Sequence, residues 1–299
     1  MPRILRWTGR VFAVLVLVIL IAAGALYAAS ERKLRRTYDA TVPEVVVRTD
    51  SASIARGEHL TQHVVTCTLC HGRDLGGRVY SSDAAIGTVA GPNLTRGRGG
   101  IGADYTRLDY ARAIRRGVRR DGRSLMVMPS EVFTHLSQED LGAVIAYLEQ
   151  LPPVDRAVPA SGFGPVGRAL LAAGKLNILV AGKTPRITPP ESVPRDTTAA
   201  YGKYLADISG CHGCHGYGLS GGRVAGPPGL PPASNLTPAG IGTWSEKDFV
   251  RVLREGKRRD GSSIDPFMPW EVYQGMTETE IHALWLYLRS VPGKPFGNK

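Results

Sequence analysis

The chain has 299 residues, 43% of them hydrophobic but 7% aromatic, with 36 glycines, 21 prolines and a formal net charge of +11. That length accommodates two domains of ordinary size, and so few aromatics make a thin core unless each domain encloses a large apolar group. The basic balance comes with no helix-turn-helix pattern or zinc-finger spacing, so no nucleic-acid partner is expected.

The first predicted element is a membrane helix. Arg3, Arg6 and Arg10 precede an uncharged run at 11–29, VFAVLVLVILIAAGALYAA. At about 1.5 Å per residue this run nearly spans a hydrocarbon core. Ala28-Ala29-Ser30 also fits a signal-peptide cleavage site. Signal cores run to about 7–15 residues, however, which favours a retained anchor over residues 1–30. Arg32, Lys33, Arg35 and Arg36 follow the run, so the charge bias leaves its orientation open. Residues 31–50 read as a juxtamembrane linker.

From there on the chain repeats itself. CTLCHG at 67–72 matches CHGCHG at 211–216, and Asn93-Leu94-Thr95 matches Asn235-Leu236-Thr237. Gly100-Ile101-Gly102 matches Gly240-Ile241-Gly242, and DYARAIRRGVRRDG (109–122) matches DFVRVLREGKRRDG (248–261). Met128-Pro129 matches Met268-Pro269, and LGAVIAYLEQLP (141–152) matches IHALWLYLRSVP (281–292). The spacing drifts by a few residues over a whole module, so these are two copies of one domain, placed at 51–153 and 196–299.

Each copy is predicted to run in the same order. A short helix (56–65; 200–208) leads into the cysteine pair, and a Gly/Pro-rich stretch follows. Then comes a helix with apolar residues at helical spacing (Tyr110, Ala113, Ile114; Phe249, Val252, Leu253). A loop ending in Met-Pro precedes the last helix, whose start carries a capping-box pattern at Ser137–Asp140 and at Thr277–Glu280. Residues 154–195 are a proline-rich linker whose central run, GRALLAAGKLNILVAG, reads as a helix lying across the modules. That run is too short and broken for a second membrane span.

Cys67, Cys70 and His71, and again Cys211, Cys214 and His215, form C-x-x-C-H, the haem c attachment signature. Two thiols add across the two vinyl groups on one porphyrin edge, and the adjacent imidazole falls beneath the ring to bind iron. The two motifs use all four cysteines. A disulfide framework would not need the histidine, and a zinc site would need a second pair close enough to complete four ligands. Two covalently bound haem c groups are therefore expected. Bacterial haem attachment takes place outside the cytoplasmic membrane, so the globular part is expected to face the periplasm from a single-pass inner-membrane anchor.

Met128 and Met268 occupy the same point of each copy and are the expected distal iron ligands, opposite His71 and His215. A neutral, soft thioether favours ferrous iron and raises the reduction potential. Core packing is the usual role of methionine, but the chain has five, and these two align. Met126 is the rival in the first copy, but its counterpart lies near Pro266. His59, His63, His135, His212 and His282 are expected to be structural or solvated. The basic clusters (Arg112, Arg115, Arg116, Arg119, Arg120; Arg251, Arg254, Lys257, Arg258, Arg259) read as solvated helix faces, with one or two per module pairing with propionates or a partner.

These residues resemble class I cytochromes c, and residues 51–294 fit as two such modules in tandem. The run Asn-Leu-Thr, Gly-Ile-Gly, then R-x-G-x-x-x-D-G is similar to the cytochrome subunits of membrane-bound quinone-linked alcohol, gluconate and aldehyde dehydrogenases. Such subunits commonly hold three haems, against two here. The resemblance implies a mainly α fold: two helical haem domains behind one transmembrane helix. It also implies that the Pro92 carbonyl accepts the proximal His71 N–H, that in the second copy, where Ala233-Ser234 stand at the aligned place, this role passes to a nearby proline or is absent, and that Asn93 and Asn235 lie near a propionate. His/Met ligation leaves no open iron position, so the expected function is electron transfer rather than catalysis. The expected partners are a dehydrogenase, a quinol-oxidising complex, a soluble cytochrome or a terminal oxidase. The rivals are a dihaem peroxidase or sulfur-compound oxidase with one open haem, and a cytochrome subunit that works only inside a dehydrogenase complex.

Overall fold

A computed structural model describes residues 2–224 and 229–297. Its first element, α1 (Pro2–Arg35), is the one helix among the described residues long and apolar enough to cross a membrane, and none of the described residues buries its apolar window. The chain then runs extended along the first module, where the Tyr38 N–H donates to the Gly122 carbonyl at 3.0 Å.

The first module consists of α2 (Ser51–His59), a π-helical turn at Leu60–Val64, α3 (Cys67–His71), α4 (Arg107–Arg116), α5 (Ser130–Phe133) and α6 (Gln138–Glu149). It also holds a hairpin, β1 (Arg78–Asp83) and β2 (Gly87–Gly91). The linker supplies β3 (Gly162–Phe163), which pairs antiparallel with β2 at Gly87 and Thr88, and α7 (Pro165–Ala172). The second module repeats the helices as α8 (Ala199–Ile208), α9 (Cys211–His215), α11 (Glu246–Glu255), α12 (Trp270–Tyr273) and α13 (Glu278–Ser290), adding a short α10 (Pro238–Ile241). The fold is mainly α, as expected. The three-stranded sheet is a feature of the first module that the sequence reading lacked.

Both modules are built on one helix crossing. Gly57 of α2 lies against the Ala143 carbonyl of α6, and Gly202 of α8 against the Ala283 carbonyl of α13. A Cβ at either glycine would strike that carbonyl, so only glycine lets the two backbones meet. Leu60, Leu141 and Ile145 in the first module, and Leu205, Ile208 and Ile281 in the second, are fully buried around these crossings and share one continuous core. Full capping boxes start α4 (Thr106, Asp109), α11 (Ser245, Asp248) and α13 (Thr277, Glu280). In α6 half the predicted box forms. Ser137 accepts from the Asp140 N–H, but the Asp140 carboxylate is taken by Arg56 of its own module and Tyr204 of the other.

That carboxylate belongs to a buried cluster joining the modules. Arg56 of α2 makes a bidentate pair with Asp140, 2.9 Å on each arm, and reaches Glu280 of α13 at 3.1 Å. The side chains of Arg56, Asp140 and Glu280 are 8%, 5% and 3% exposed. His59 Nε2 lies 2.7 Å from Glu280, and the Tyr204 hydroxyl donates to Asp140 at 2.8 Å. His59 and Tyr204 occupy the same place in α2 and α8, so each module's first helix reaches the other module's last helix. His59 is thus structural, as expected. Arg115 is not on a solvated face: it is 2% exposed and donates to the Thr134 and Leu136 carbonyls that end α5. Its counterpart Arg254 donates to the Gln274 carbonyl after α12 and to Glu278 at 2.8 Å. These two arginines recur because each ties off a short helix.

Candidate haem-binding sites

Each C-x-x-C-H lies on its own short helix, α3 or α9, entered through a left-handed residue (Thr66, φ 50°; Gly210, φ 82°). One helical turn puts two cysteines three apart on one side, with the histidine directly after them. The cysteines form no disulfide. Burial pushes the Cys67 thiol up to about 12 and raises those of Cys70 and Cys211. A thioether has no charge to desolvate, so covalent attachment suits these positions better than a thiolate does.

The imidazoles are aimed by backbone carbonyls. His71 Nδ1 donates to Pro92 O at 2.9 Å, and His215 Nδ1 donates to Ser234 O at 2.7 Å. A carbonyl can only accept, so the proton sits on Nδ1 and the Nε2 lone pair is left for a metal. Burial lowers the His71 pKa, which keeps the ring neutral; the hydrogen bond to Pro92 opposes this. Pro92 is where the sequence expected it. The second module needs no proline there, because any residue's carbonyl serves and Ser234 supplies it. A main-chain oxygen leaves no mark in a side-chain pattern.

Cys211, Cys214, His215 and Met268 line a single cavity in the second module, walled by Trp244, Phe249 and other apolar side chains. In the first module Cys67 and Met128 pack against the same core as their counterparts. The donor set facing the cavity is thus one imidazole and one thioether in an apolar cradle, which fits a haem. Arg258 lines the cavity too, so one member of the basic cluster stands where a propionate could be met. Its neighbours in sequence gave no reason to single it out.

The methionines share a local frame but are held differently. Pro129 (φ −79°, ψ 57°) and Pro269 (φ −80°, ψ 50°) match, and the N–H groups of Ser130 and Trp270 both donate to the methionine carbonyl at 2.8 Å. Before Met128, Val127 adopts φ 65°, and its N–H donates to Ile178 O of the linker at 2.9 Å. Met126, the rival ligand, pairs its backbone with Leu179. Before Met268 the turn supports itself: the Asp265 side chain accepts from the Phe267 N–H at 2.9 Å, and its carbonyl accepts from the Met268 N–H at 3.0 Å.

Asn93 and Asn235, expected beside a propionate, are engaged elsewhere. Asn93 Oδ1 accepts from the N–H and hydroxyl of Thr95, while Nδ2 donates to Val154 O at 2.6 Å. Asn235 does the same with Thr237 and Lys294 O, at 2.8 Å. Each Asn-Leu-Thr therefore stitches the loop after the haem motif to the chain leaving the module's last helix, and both carboxamides are occupied by this bracing. His212, expected to be structural or solvated, folds back to within 3.1 Å of Asp207.

Residues 52–148 match the family described as cytochrome c oxidase, cbb3-type, subunit III, and residues 199–292 match cytochrome c. The chain therefore belongs to the c-type cytochromes: it carries two tandem cytochrome c domains, each binding haem c covalently. Within that class it is similar to the cytochrome c subunit of the quinone alcohol dehydrogenase of Gluconobacter oxydans (strain 621H), 31% identical over 83% of this chain and 56% of the relative. It is also similar to the fructose dehydrogenase cytochrome subunit of Gluconobacter japonicus, 30% identical over 81% of this chain and 53% of the relative. A dihaem c-type cytochrome of Cereibacter sphaeroides is 28% identical over 73% of this chain and 75% of the relative. The chain spans about half the length of the two dehydrogenase subunits.

Proposed function

We propose that this chain is a membrane-anchored dihaem electron carrier, working as the cytochrome subunit of, or the acceptor for, a dehydrogenase, and that it does no chemistry on a substrate. In this reading residues 1–30 anchor the chain in the inner membrane as a single pass, and 31–50 form the juxtamembrane segment. Residues 51–153 and 196–299 are haem domains facing the periplasm, joined by 154–195. Cys67, Cys70 and His71, with Met128 opposite, would hold one haem, and Cys211, Cys214 and His215, with Met268 opposite, the other. The bound groups supply one-electron ferric/ferrous chemistry. The protein's part is to fix the imidazole through Pro92 or Ser234, supply a soft second ligand and keep water from the ring. The donor would be the dehydrogenase or a quinol-oxidising complex, and the onward acceptor a soluble cytochrome or a terminal oxidase.

The observation that carries this reading is the sharing of one cavity by Cys211, Cys214, His215 and Met268, which supports an iron closed on both faces. The test is a carbon monoxide difference spectrum of the dithionite-reduced protein with a haem count per chain. Two haems and no carbon monoxide shift are expected, and Met268→Ala should then open one haem to carbon monoxide. A shift in the unaltered protein would reveal an open iron and move the assignment to an enzyme.

A further inference from the structure

The linker helix meets the anchor where α1 leaves its apolar run. The Arg168 guanidinium of α7 lies 4.3 Å from the centre of the Tyr27 ring, with Nη1 2.9 Å from Glu31 and 3.1 Å from the Ser30 hydroxyl. One turn on, Lys33 Nζ donates to the Leu171 and Ala172 carbonyls at 2.8 and 3.0 Å, at the negative end of α7. The helix therefore lies along the last turns of α1, with its N-terminal end toward the span. Tyr27 is within about 3 Å, along the axis, of the end of the uncharged run at residue 29.

The β1–β2 turn is bolted to that same end. The Ala85 carbonyl accepts from the Val166 and Gly167 N–H groups at 2.9 and 3.1 Å, and the Ile86 carbonyl accepts from the Gly164 N–H at 3.0 Å. A Cβ at Gly164 or Gly167 would strike the carbonyls of Ala84–Ile86, so the contact is a close backbone approach. Three segments far apart in sequence thus form one rigid unit at the membrane exit. On its surface Ile86 is 42% and Val166 47% exposed; Asp83 is exposed beside them, its carboxylate accepting from the Ala85 and Ile86 N–H groups. Arg32 and Arg35 lie in the last turn of α1, and Arg36 follows it.

We propose that the β1–β2 turn and the N-terminal end of α7 are an interfacial membrane platform. Ile86 and Val166 would enter the headgroup–acyl boundary of the bilayer that α1 spans, and Arg32, Arg35 and Arg36, which follow the span, would meet anionic headgroups. The proposal rests on the anchor reading above and deepens it. Its occupant is lipid because α7 lies along the end of the span and sets these two apolar side chains beside the point where α1 leaves its apolar run. The platform would hold the first haem domain at a fixed height and tilt over the membrane instead of on a free tether.

The test uses the full haem-loaded chain in nanodiscs of 3:1 phosphatidylcholine and phosphatidylglycerol (about 25% anionic lipid). A benzophenone amino acid replaces Ile86, Val166, Leu20 inside the span, or Tyr217, an 88% exposed residue of the second module. Haem content checks folding. Lipid adducts at Ile86 and Val166 at least about tenfold above Tyr217 are expected. Adducts at Leu20 with none at Ile86 and Val166 would overturn the platform and leave the anchor standing, as would cross-links from those two positions to protein instead of lipid. No lipid adduct even at Leu20 would overturn both.

Discussion

The two halves carry the same haem-attachment sequence on the same helix crossing, yet they are braced by different means. The first module leans on its surroundings. Its methionine loop is tied to Ile178 and Leu179 of the linker, its hairpin to α7, and its front to the extended chain at Tyr38. The second leans on itself, with an aspartate turn at Asp265 before Met268. The repeated residues therefore mark what a haem site requires, and the unrepeated ones mark how each copy is mounted.

The largest test of that comparison is at the place where the copies meet. Arg56 and Tyr201 occupy equivalent positions, but Arg56 holds two buried carboxylates while Tyr201 makes one 3.3 Å bond to Glu280. Arg56→Ala strands Asp140 and Glu280 without their cation and should cost about 3–5 kcal/mol. Tyr201→Phe should cost about 1 kcal/mol. Thermal unfolding of the haem-loaded protein checks both, and equal effects would mean the cluster is no asymmetric joint.

Acid is a gentler probe of the same joint. Burial raises the Glu280 pKa, but the His59 hydrogen bond and the nearby charges of His59 and Arg56 outweigh it, holding the carboxyl down at about 2. A carboxyl held below its unfolded value of 4.5 contributes stability that is fully present above 4.5 and is lost as pH falls toward 2. Glu280→Gln should therefore flatten the stability–pH curve in that window by about one proton's slope. An unchanged slope would show that Glu280 is not the group being titrated. At the methionine loops, Asp265→Ala removes the turn that sets Met268 and should weaken that module's ferric methionine–iron charge-transfer band, at a cost of about 1 kcal/mol. The band of the first module should stay as it is. Loss of both would mean the loops are coupled through the interface.

The sequence disclosed whatever is periodic or chemically peculiar. The cysteine–histidine motifs, the paired Met-Pro and the capping residues Ser137 and Thr277 were legible, because each is a side chain or ring with a local reason to be there, whereas Pro92 came only from the family resemblance. The Ser234 carbonyl was not, since a main-chain acceptor has no residue signature. The Arg56–Asp140–Glu280 cluster was hidden too, as it joins positions more than eighty residues apart that differ between the copies. Asn93 and Asn235 were visible as a repeat, but repetition alone does not say whether a carboxamide faces a ligand or its own loop. The hairpin was missed because β1, RVYSSD, is exposed along its whole length and so lacks the alternation that marks a half-buried strand.

The smallest effect is the sharpest on how the methionines are presented, because the two modules should respond with opposite sign. Val127 holds φ 65°, a conformation that a β-branched residue adopts at a cost of about 1–2 kcal/mol, and the linker bond to Ile178 keeps it there. Val127→Gly removes that strain, and its added unfolded-state entropy offsets about 1 kcal/mol, leaving a net gain of up to about 1 kcal/mol. Phe267, at the matching place, has no positive φ, so Phe267→Gly gains nothing and should destabilise. If both substitutions destabilise, Val127 is not strained, and the linker is packing beside the first methionine loop without forcing its shape.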